Sequence, residues 1–289
     1  ILMTAPEHDT RPLPLAVAIV CKDNEDTIAR TLESVRTLAA HVVALDSGST
    51  DGTIDILRAF GAEVVSVEWA GHIRTKQMAL DRCEHPWAMH LDSDESLTPE
   101  LQASLRAALS DPADDAGAFL VNRMVWWDDK PLRHAWQPEW RLRVVRRGAA
   151  AWGGVNPHDA LALKRDAAAP NGAPWKKHRL RGALRHDTID TIHEFLVKQS
   201  EYGRISAEAL HAMGVRGAKR NLVLSPVAAW CKQMLLKQAW RDGWRGWAAA
   251  SAAAAAALHK HTVLLEHTHN PPPTSSSKSS SSPSSSSPT

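Results

Sequence analysis

The chain has 289 residues, 44% hydrophobic and 23% charged, with 34 Lys and Arg against 32 Asp and Glu for a net charge of +2. These values exclude a wholly disordered chain, a collagen-like fibre and a disulfide-held miniprotein, and the charge is too balanced to suggest nucleic-acid binding. The cysteines Cys21, Cys83 and Cys231 are odd in number and far apart, which suggests neither a disulfide framework nor a zinc spacing and fits a reducing compartment.

Residues 1–13 read as a flexible tail with prolines and charges but no apolar signal core. Leu15–Val20 is a continuous apolar run, the pattern of a strand buried on both faces. Asp26–Ala39 carries Ile28, Leu32, Val35 and Leu38 at helical spacing, and His41–Leu45 reads as a second strand. Thr53–Phe60 follows as a helix closed by Gly61, then Glu63–Val67 as a third strand, Ile73–Cys83 as a helix and Trp87–Leu91 as a fourth strand. Thr98 and Pro99 open the next helix as N-cap and first helical residue. The alternation predicts an α/β domain over 14–165, a Rossmann-like mostly parallel sheet flanked by helices, with ligands bound at the carboxyl ends of the strands. Gly117–Val125 and Trp140–Arg146 read as further strands. Residues 166–225 hold a long helix over Asp190–Met213, and Pro226 opens a C-terminal helical extension over 226–269. Residues 270–289, almost all Ser, Pro and Thr, read as a disordered tail.

Three expected strand ends carry acidic or polar clusters: Lys22-Asp23-Asn24-Glu25-Asp26, then Asp46-Ser47-Gly48-Ser49-Thr50-Asp51-Gly52-Thr53, then Asp92-Ser93-Asp94-Glu95. In a parallel sheet they share one edge, and like charges gathered there imply a cation or polar ligand. Asp92 and Asp94, two residues apart on an extended loop, can supply hard oxygen ligands to Mg²⁺ or Mn²⁺; the same residues can also form a solvated loop that caps the next helix. Asp46, first past its strand, is placed to accept hydrogen bonds from a base N–H or a ribose hydroxyl; a capped strand–turn–helix connection is the plainer reading of its loop.

These three clusters, in this order and at these separations, resemble the N-terminal half of family-two glycosyltransferases of the GT-A fold. The octet at 46–53 with Asp92-Ser93-Asp94-Glu95 resembles the branch that contains lipopolysaccharide-core beta-1,4-glucosyltransferases. Trp69-Ala70-Gly71-His72 followed by Lys76 and Gln77 is similar to the same branch, with Gln77 in place of the usual Asn, and the chain also departs from the pattern at Lys22-Asp23. The resemblance covers 15–165 well and the rest loosely. It implies a nucleotide-sugar pocket lined by Asp23, Glu25, Asp46, Lys76, Asp92 and Asp94, with Asp92 and Asp94 serving the metal, and it makes 166–225 the acceptor side. It also implies a metal-dependent inverting hexosyltransferase that moves a sugar, glucose by resemblance, from a UDP-sugar to a glycan or lipid-linked acceptor in cell-envelope polysaccharide or lipopolysaccharide-core synthesis. Such transfer needs a carboxylate base within reach of the acceptor hydroxyl. Asp159, in His158-Asp159, is the first candidate and Glu139 the second. A non-catalytic glycan- or membrane-binding adaptor on the same fold is the alternative. A nucleotidyltransferase ranks third, because Asp23, Glu25 and Asp26 would repel a triphosphate.

Arg141 and Arg143 share one strand face, which suits a phosphate or a solvated edge strand. Trp126, Trp127, Trp136 and Trp140 could form a sugar platform or pack a subdomain. On a helical wheel Trp230, Trp240, Trp244 and Trp247 fall in one arc beside Lys237 and Arg241, the composition of an interfacial helix. The expected location is cytoplasmic, peripheral on the inner face of the membrane, since no apolar run is long enough to span a bilayer. His259, His261, His267 and His269 come in i, i+2 pairs, which do not share a helix face, so they are not read as a metal site.

Overall fold

The computed structural model describes residues 11–155, 158–189 and 191–270. Most of both expected tails lies outside these residues, as do residues 156–157 and the side chain of His158.

The first half alternates as its pattern predicts: β1 (Leu13–Cys21), α1 (Glu25–Glu33), β2 (Ala39–Asp46), α2 (Thr53–Phe60), β3 (Glu63–Ser66), α3 (His72–Asp81) and β4 (Trp87–Asp92). The four strands are parallel in the order β3-β2-β1-β4. Side chains on β1 alternate between two cores. Leu15, Val17 and Ile19 face Ile28 and Leu32 of α1 and Leu57 of α2. Ala16 and Ala18 face Ala79 and Leu80 of α3. Gly61 ends α2 in the left-handed region, φ 92°. α1 stops at Glu33, short of the expected Ala39; the Ser34 hydroxyl donates to the Thr31 carbonyl, and turns carry the chain on with Val35 and Leu38 still buried.

After β4 come β5 (Glu95–Leu97), α4 (Pro99–Ser110), β6 (Ala116–Trp127), β7 (Lys130–Pro131) and β8 (Trp140–Arg146). Thr98 caps α4, its hydroxyl accepting from the Leu101 N–H at 3.4 Å. β8 inserts antiparallel between β4 and β6, so Arg141 and Arg143 are on an internal strand and not on a solvated edge. β9 (Ala150–Val155) and β10 (His158–Leu163) form a separate hairpin whose Trp152 and Leu161 join the α3 core. The sheet also reaches past residue 165: β11 (Lys176–Ile189) runs parallel to β6 and antiparallel to β5. Gly182, at φ 83°, lets β11 approach α4 closely, since a Cβ there would lie 2.3 Å from the Leu101 nitrogen.

The C-terminal helices are α5 (Ile192–Ala212), α6 (Asn221–Cys231) and α7 (Trp244–His269), with a π-type turn at Lys232–Leu236 and a 3₁₀ turn at Ala239–Asp242. Pro226 lies inside α6 and does not open it. Phe195, Met234, Ala239 and Ala249 pack these elements against Val125, Trp127 and Leu132. Asp242 ties the junction, accepting from the backbone N–H groups of Arg133, His134 and Ala135 at 2.8–3.0 Å.

The single helical wheel for Trp230, Trp240, Trp244 and Trp247 is not realised. Gln238 (φ 56°) and Gly243 (φ 65°) adopt left-handed conformations and break the helix between the tryptophans. Gly246 then packs against Ala239, where a Cβ would meet the carbonyl oxygen. Trp230 stacks edge-on to Trp247 at 5.9 Å, and Trp244 to Trp127 at 5.0 Å. Among the described residues, no helix is long and apolar enough to cross a membrane.

Candidate active site

The carboxyl ends of β1, β2 and β4 are in register: Cys21 pairs with Asp46, and Val20 with Asp92. The three polar loops therefore leave one rim of the sheet. The loops after β1 and β2 are stitched together by hydrogen bonds. The Asp23 N–H donates to Ser49 Oγ at 2.9 Å, and Asp23 Oδ1 accepts from the Thr50 N–H at 2.7 Å. The Asn24 N–H donates to Thr53 Oγ1, and Glu25 Oε2 accepts from the Gly52 N–H at 2.8 Å. A Cβ on Gly52 would lie 2.9 Å from that Glu25 oxygen, so a larger residue would push the carboxylate from this hydrogen bond. Asp46 is 1% exposed and accepts from the Gly48 and Ser49 N–H groups and the Ser49 hydroxyl. Its oxygens hold its own turn, which leaves them poorly placed for the base or ribose contact expected of them.

On the other half of the rim, cations from distant elements meet the acids. Lys76 of α3 lies 3.0 Å from Asp92 Oδ1 and 3.0 Å from Asp159 Oδ2, with Nζ 4.8 Å from the centre of the Trp152 ring. Arg143 lies 2.8 Å from Asp92 and 2.5 Å from Glu95, which is fully buried. Arg123 extends the chain to Glu95 at 3.6 Å and to Glu139 at 2.7 Å, and Arg141 holds Glu139 at 2.6 Å. Acids and bases alternate along this array, so each buried charge has a partner.

The protonation states follow. Burial opposes the charge on Asp92, but Arg143 and Lys76 outweigh it and hold the carboxyl well below the usual range. Burial likewise works against Lys76, yet Asp92 and Asp159 keep its pKa above the ordinary value. Burial would raise Glu139; the Arg123 hydrogen bond and the charges of Arg123 and Arg141 bring it down to about 2. A carboxylate held that low is a weak proton acceptor. Buried His90, beside Asp92, is driven down to about 4 by desolvation and stays neutral.

Asp94 pairs with a different group, 3.3 Å from His186 Nε2 on β11. Burial disfavours the protonated imidazole, but the Asp94 charge outweighs it and raises the His186 pKa. His186 Nδ1 is buried without a partner. Among the described residues, no group of three or more His, Cys, Asp or Glu is arranged to hold a metal ion. Asp92, with both oxygens on cations, does not fit the metal role expected of it. Asp94 with His186 does fit, since a carboxylate and an imidazole face each other where a divalent cation could replace the proton.

Arg123 and His186 carry no sequence signal, because only the pairing of β6 and β11 in the sheet brings them to the rim, and Glu95, visible as a loop acid, shows its role only once Arg143 and Arg123 are placed against it. Arg143 is buried on Asp92 and Glu95, so neither phosphate binding nor solvation describes it here. Gln77 has a use of its own: its side-chain oxygen accepts from the Trp152 N–H at 2.8 Å and ties the β9–β10 hairpin to α3. The expected tryptophan platform is dispersed, with Trp127 on Trp244, Trp136 on Phe195, and Trp126 and Trp140 under Arg185 and Arg179.

A family model described as "Glycosyl transferase family 2" matches residues 16–193, from β1 into the start of α5. The chain belongs to glycosyl transferase family 2. The parallel strands β3-β2-β1-β4 are continued by β8, antiparallel to β4, and by β6, which runs parallel to the first four, the mostly parallel α/β sheet expected of the GT-A resemblance. This glycosyltransferase is 26% identical over 248 residues to a lipopolysaccharide core biosynthesis glycosyltransferase, LpsC, of Rhizobium meliloti, covering 82% of this chain and 87% of that protein. It is 25% identical to an uncharacterized glycosyltransferase of Rickettsia prowazekii, covering 75% and 74%. Among solved structures it is similar to residues 1–349 of S. aureus TarS (14% identity, TM-score 0.43, covering 88% and 90%). It is also similar to glucosyl-3-phosphoglycerate synthase of Mycobacterium tuberculosis in complex with Mn²⁺, UDP and glucosyl-3-phosphoglycerate (16% identity, TM-score 0.44, covering 71% and 82%).

Proposed function

We propose that this family-2 glycosyltransferase is an inverting enzyme that moves a hexose, glucose first among the candidates, from a UDP-sugar to a glycan or lipid-linked acceptor of the cell envelope. The name of the Rhizobium relative supports the lipopolysaccharide core as the setting. The observation that carries the reading is the position of Lys76, 3.0 Å from both Asp92 and Asp159. It unites an acid at the end of β4 with an acid on the β9–β10 hairpin, the separation of roles that transfer between two substrates needs.

In this reading Asp159 accepts the proton of the acceptor hydroxyl. The hydroxyl oxygen forms the new bond to the anomeric carbon from the face opposite the diphosphate. The bond from that carbon to the diphosphate oxygen breaks, and its electron pair leaves with UDP. Lys76 keeps Asp159 oriented and adds positive charge beside the diphosphate. Asp23, Glu25 and Asp46 shape the nucleotide pocket by fixing the loops around it. Asp94 and His186 would hold Mg²⁺ or Mn²⁺, which supplies Lewis-acid stabilisation of the leaving diphosphate when bound. Glu139, clamped by two guanidinium groups, positions Arg123 and Arg141 and is not the base.

A thermal-shift screen of nucleotide sugars with and without Mn²⁺ tests the donor class. The reading expects UDP-sugars to raise the melting point more than GDP- or CMP-sugars, and Mn²⁺ to strengthen the effect in the wild type but not in Asp94→Ala. Absence of UDP binding by calorimetry with Mn²⁺ present would favour the non-catalytic adaptor.

A further inference from the structure

A run of exposed apolar side chains lies on the segment from 219 to 247. α6 reads NLVLSPVAAWC, and none of its residues is buried. Val223, Leu224, Val227, Leu235 and Leu236 are 57–78% exposed. Leu224, Val227 and Leu235 follow the spacing of one face along α6 and the π-type turn. Trp240, Trp244 and Trp247 extend the surface, each more than half exposed. Contiguous apolar surface of this kind marks an interaction site.

The charge around it is of one sign. Between Lys219 and Arg241 the chain has Lys219, Arg220, Lys232, Lys237 and Arg241 and no Asp or Glu. The next acid, Asp242, has only 5% of its side chain exposed and is used by His134 and three backbone N–H groups. None of the five cations has an ion-pair partner among the described residues. What sets this segment apart is five cations with no acid between them beside a run of exposed apolar side chains.

We infer that this segment is a bilayer-docking surface: its apolar face enters the boundary between headgroups and acyl chains of an anionic membrane, and its lysines and arginines contact lipid phosphates. A second copy of the chain is a poorer occupant, because a two-fold contact through this face would bring the two sets of unpaired cations together. The segment lies on the membrane without crossing it, since no described helix is long and apolar enough to span. Trp240 contributes from the 3₁₀ turn and Trp244 and Trp247 from the start of α7, with Leu235 and Leu236 of the π-type turn before them as the most exposed apolar side chains of the segment.

Flotation of the full chain with phosphatidylcholine vesicles, with and without phosphatidylglycerol, tests the inference. Wild type is expected to float with the phosphatidylglycerol vesicles and to lose binding as salt is raised. The double variant Leu235→Glu/Leu236→Glu should bind roughly tenfold less or weaker still, with an unchanged melting point because both side chains already face solvent. Lys232→Glu/Arg241→Glu should also lose roughly tenfold or more, and it decides the matter if the leucine variant misfolds. Failure of wild type to float with phosphatidylglycerol vesicles would overturn the inference. So would charge-reversed protein that floats as well as wild type, or a solution dimer that the leucine substitutions dissociate.

Discussion

The two halves of the rim satisfy their carboxylates by different means. After β1 and β2, Asp23, Glu25 and Asp46 accept hydrogen bonds from backbone N–H groups of the loops at 48–52. After β4, Asp92 and Glu95 face Lys76, Arg143 and Arg123, which arrive from α3, β8 and β6. The first half is a local device that sets loop shape. The second is a long-range device that brings charged groups from several elements to one place, and only it has ionised groups next to Asp159. An acid-rich loop is thus not one kind of site, since the partner of each oxygen decides whether it shapes a pocket or belongs to the chemistry.

Removing a cation from the second half has the largest expected effect. Arg143→Met leaves Glu95 fully buried with its nearest charge partner gone, and truncating one member of such a network costs about 3–5 kcal/mol. Urea denaturation should show that loss, and a loss below about 1 kcal/mol would mean the array is not a coupled unit. In the first half, Asp46→Ala strands backbone donors of one turn and should cost about 1–3 kcal/mol. Its extra effect should be confined to exchange protection at 47–52, and a global effect as large as that of Arg143→Met would erase the distinction between the halves.

A smaller effect is expected through pH. The Glu139 carboxyl titrates at about 2 in the folded protein against an ordinary 4.5. A depressed carboxylate contributes stability above pH 4.5, and that contribution is lost as pH falls through 4.5 toward 2. Glu139→Gln should therefore flatten the acid limb of the stability curve in that window while shifting it little in shape near neutrality. An unchanged acid limb would show that the two guanidinium groups do not act on Glu139 as their distances imply.

Much of the first half was legible because its signals are local. Thr53–Phe60 and Trp140–Arg146 fall where periodicity and caps place them, and Thr98 with Pro99 marks the start of α4. β11 was not legible. Its sequence, KKHRLRGALRHDTI, has no apolar run, because side chains such as His186, Arg185 and His178 are satisfied by acids from other elements. Pattern reading sees charge there and calls for solvent. For the same reason Glu95 read as one more loop acid although it is fully buried, and Arg143 read as a phosphate contact although it is an internal counter-ion. The order of the motifs gave the rim and its family; the partners that assign each oxygen a task come only from the strand register.

In the proposed reaction Asp159, held by Lys76 across from Asp92, takes the proton of the acceptor. Single-turnover transfer from a UDP-sugar by Asp159→Asn, with UDP affinity measured by calorimetry on the same protein, tests it most directly. Transfer should slow by roughly 10²–10⁴-fold, the usual contribution of a positioned base, with UDP affinity close to that of wild type. Transfer at the wild-type rate, or UDP binding lost along with it, would contradict the claim.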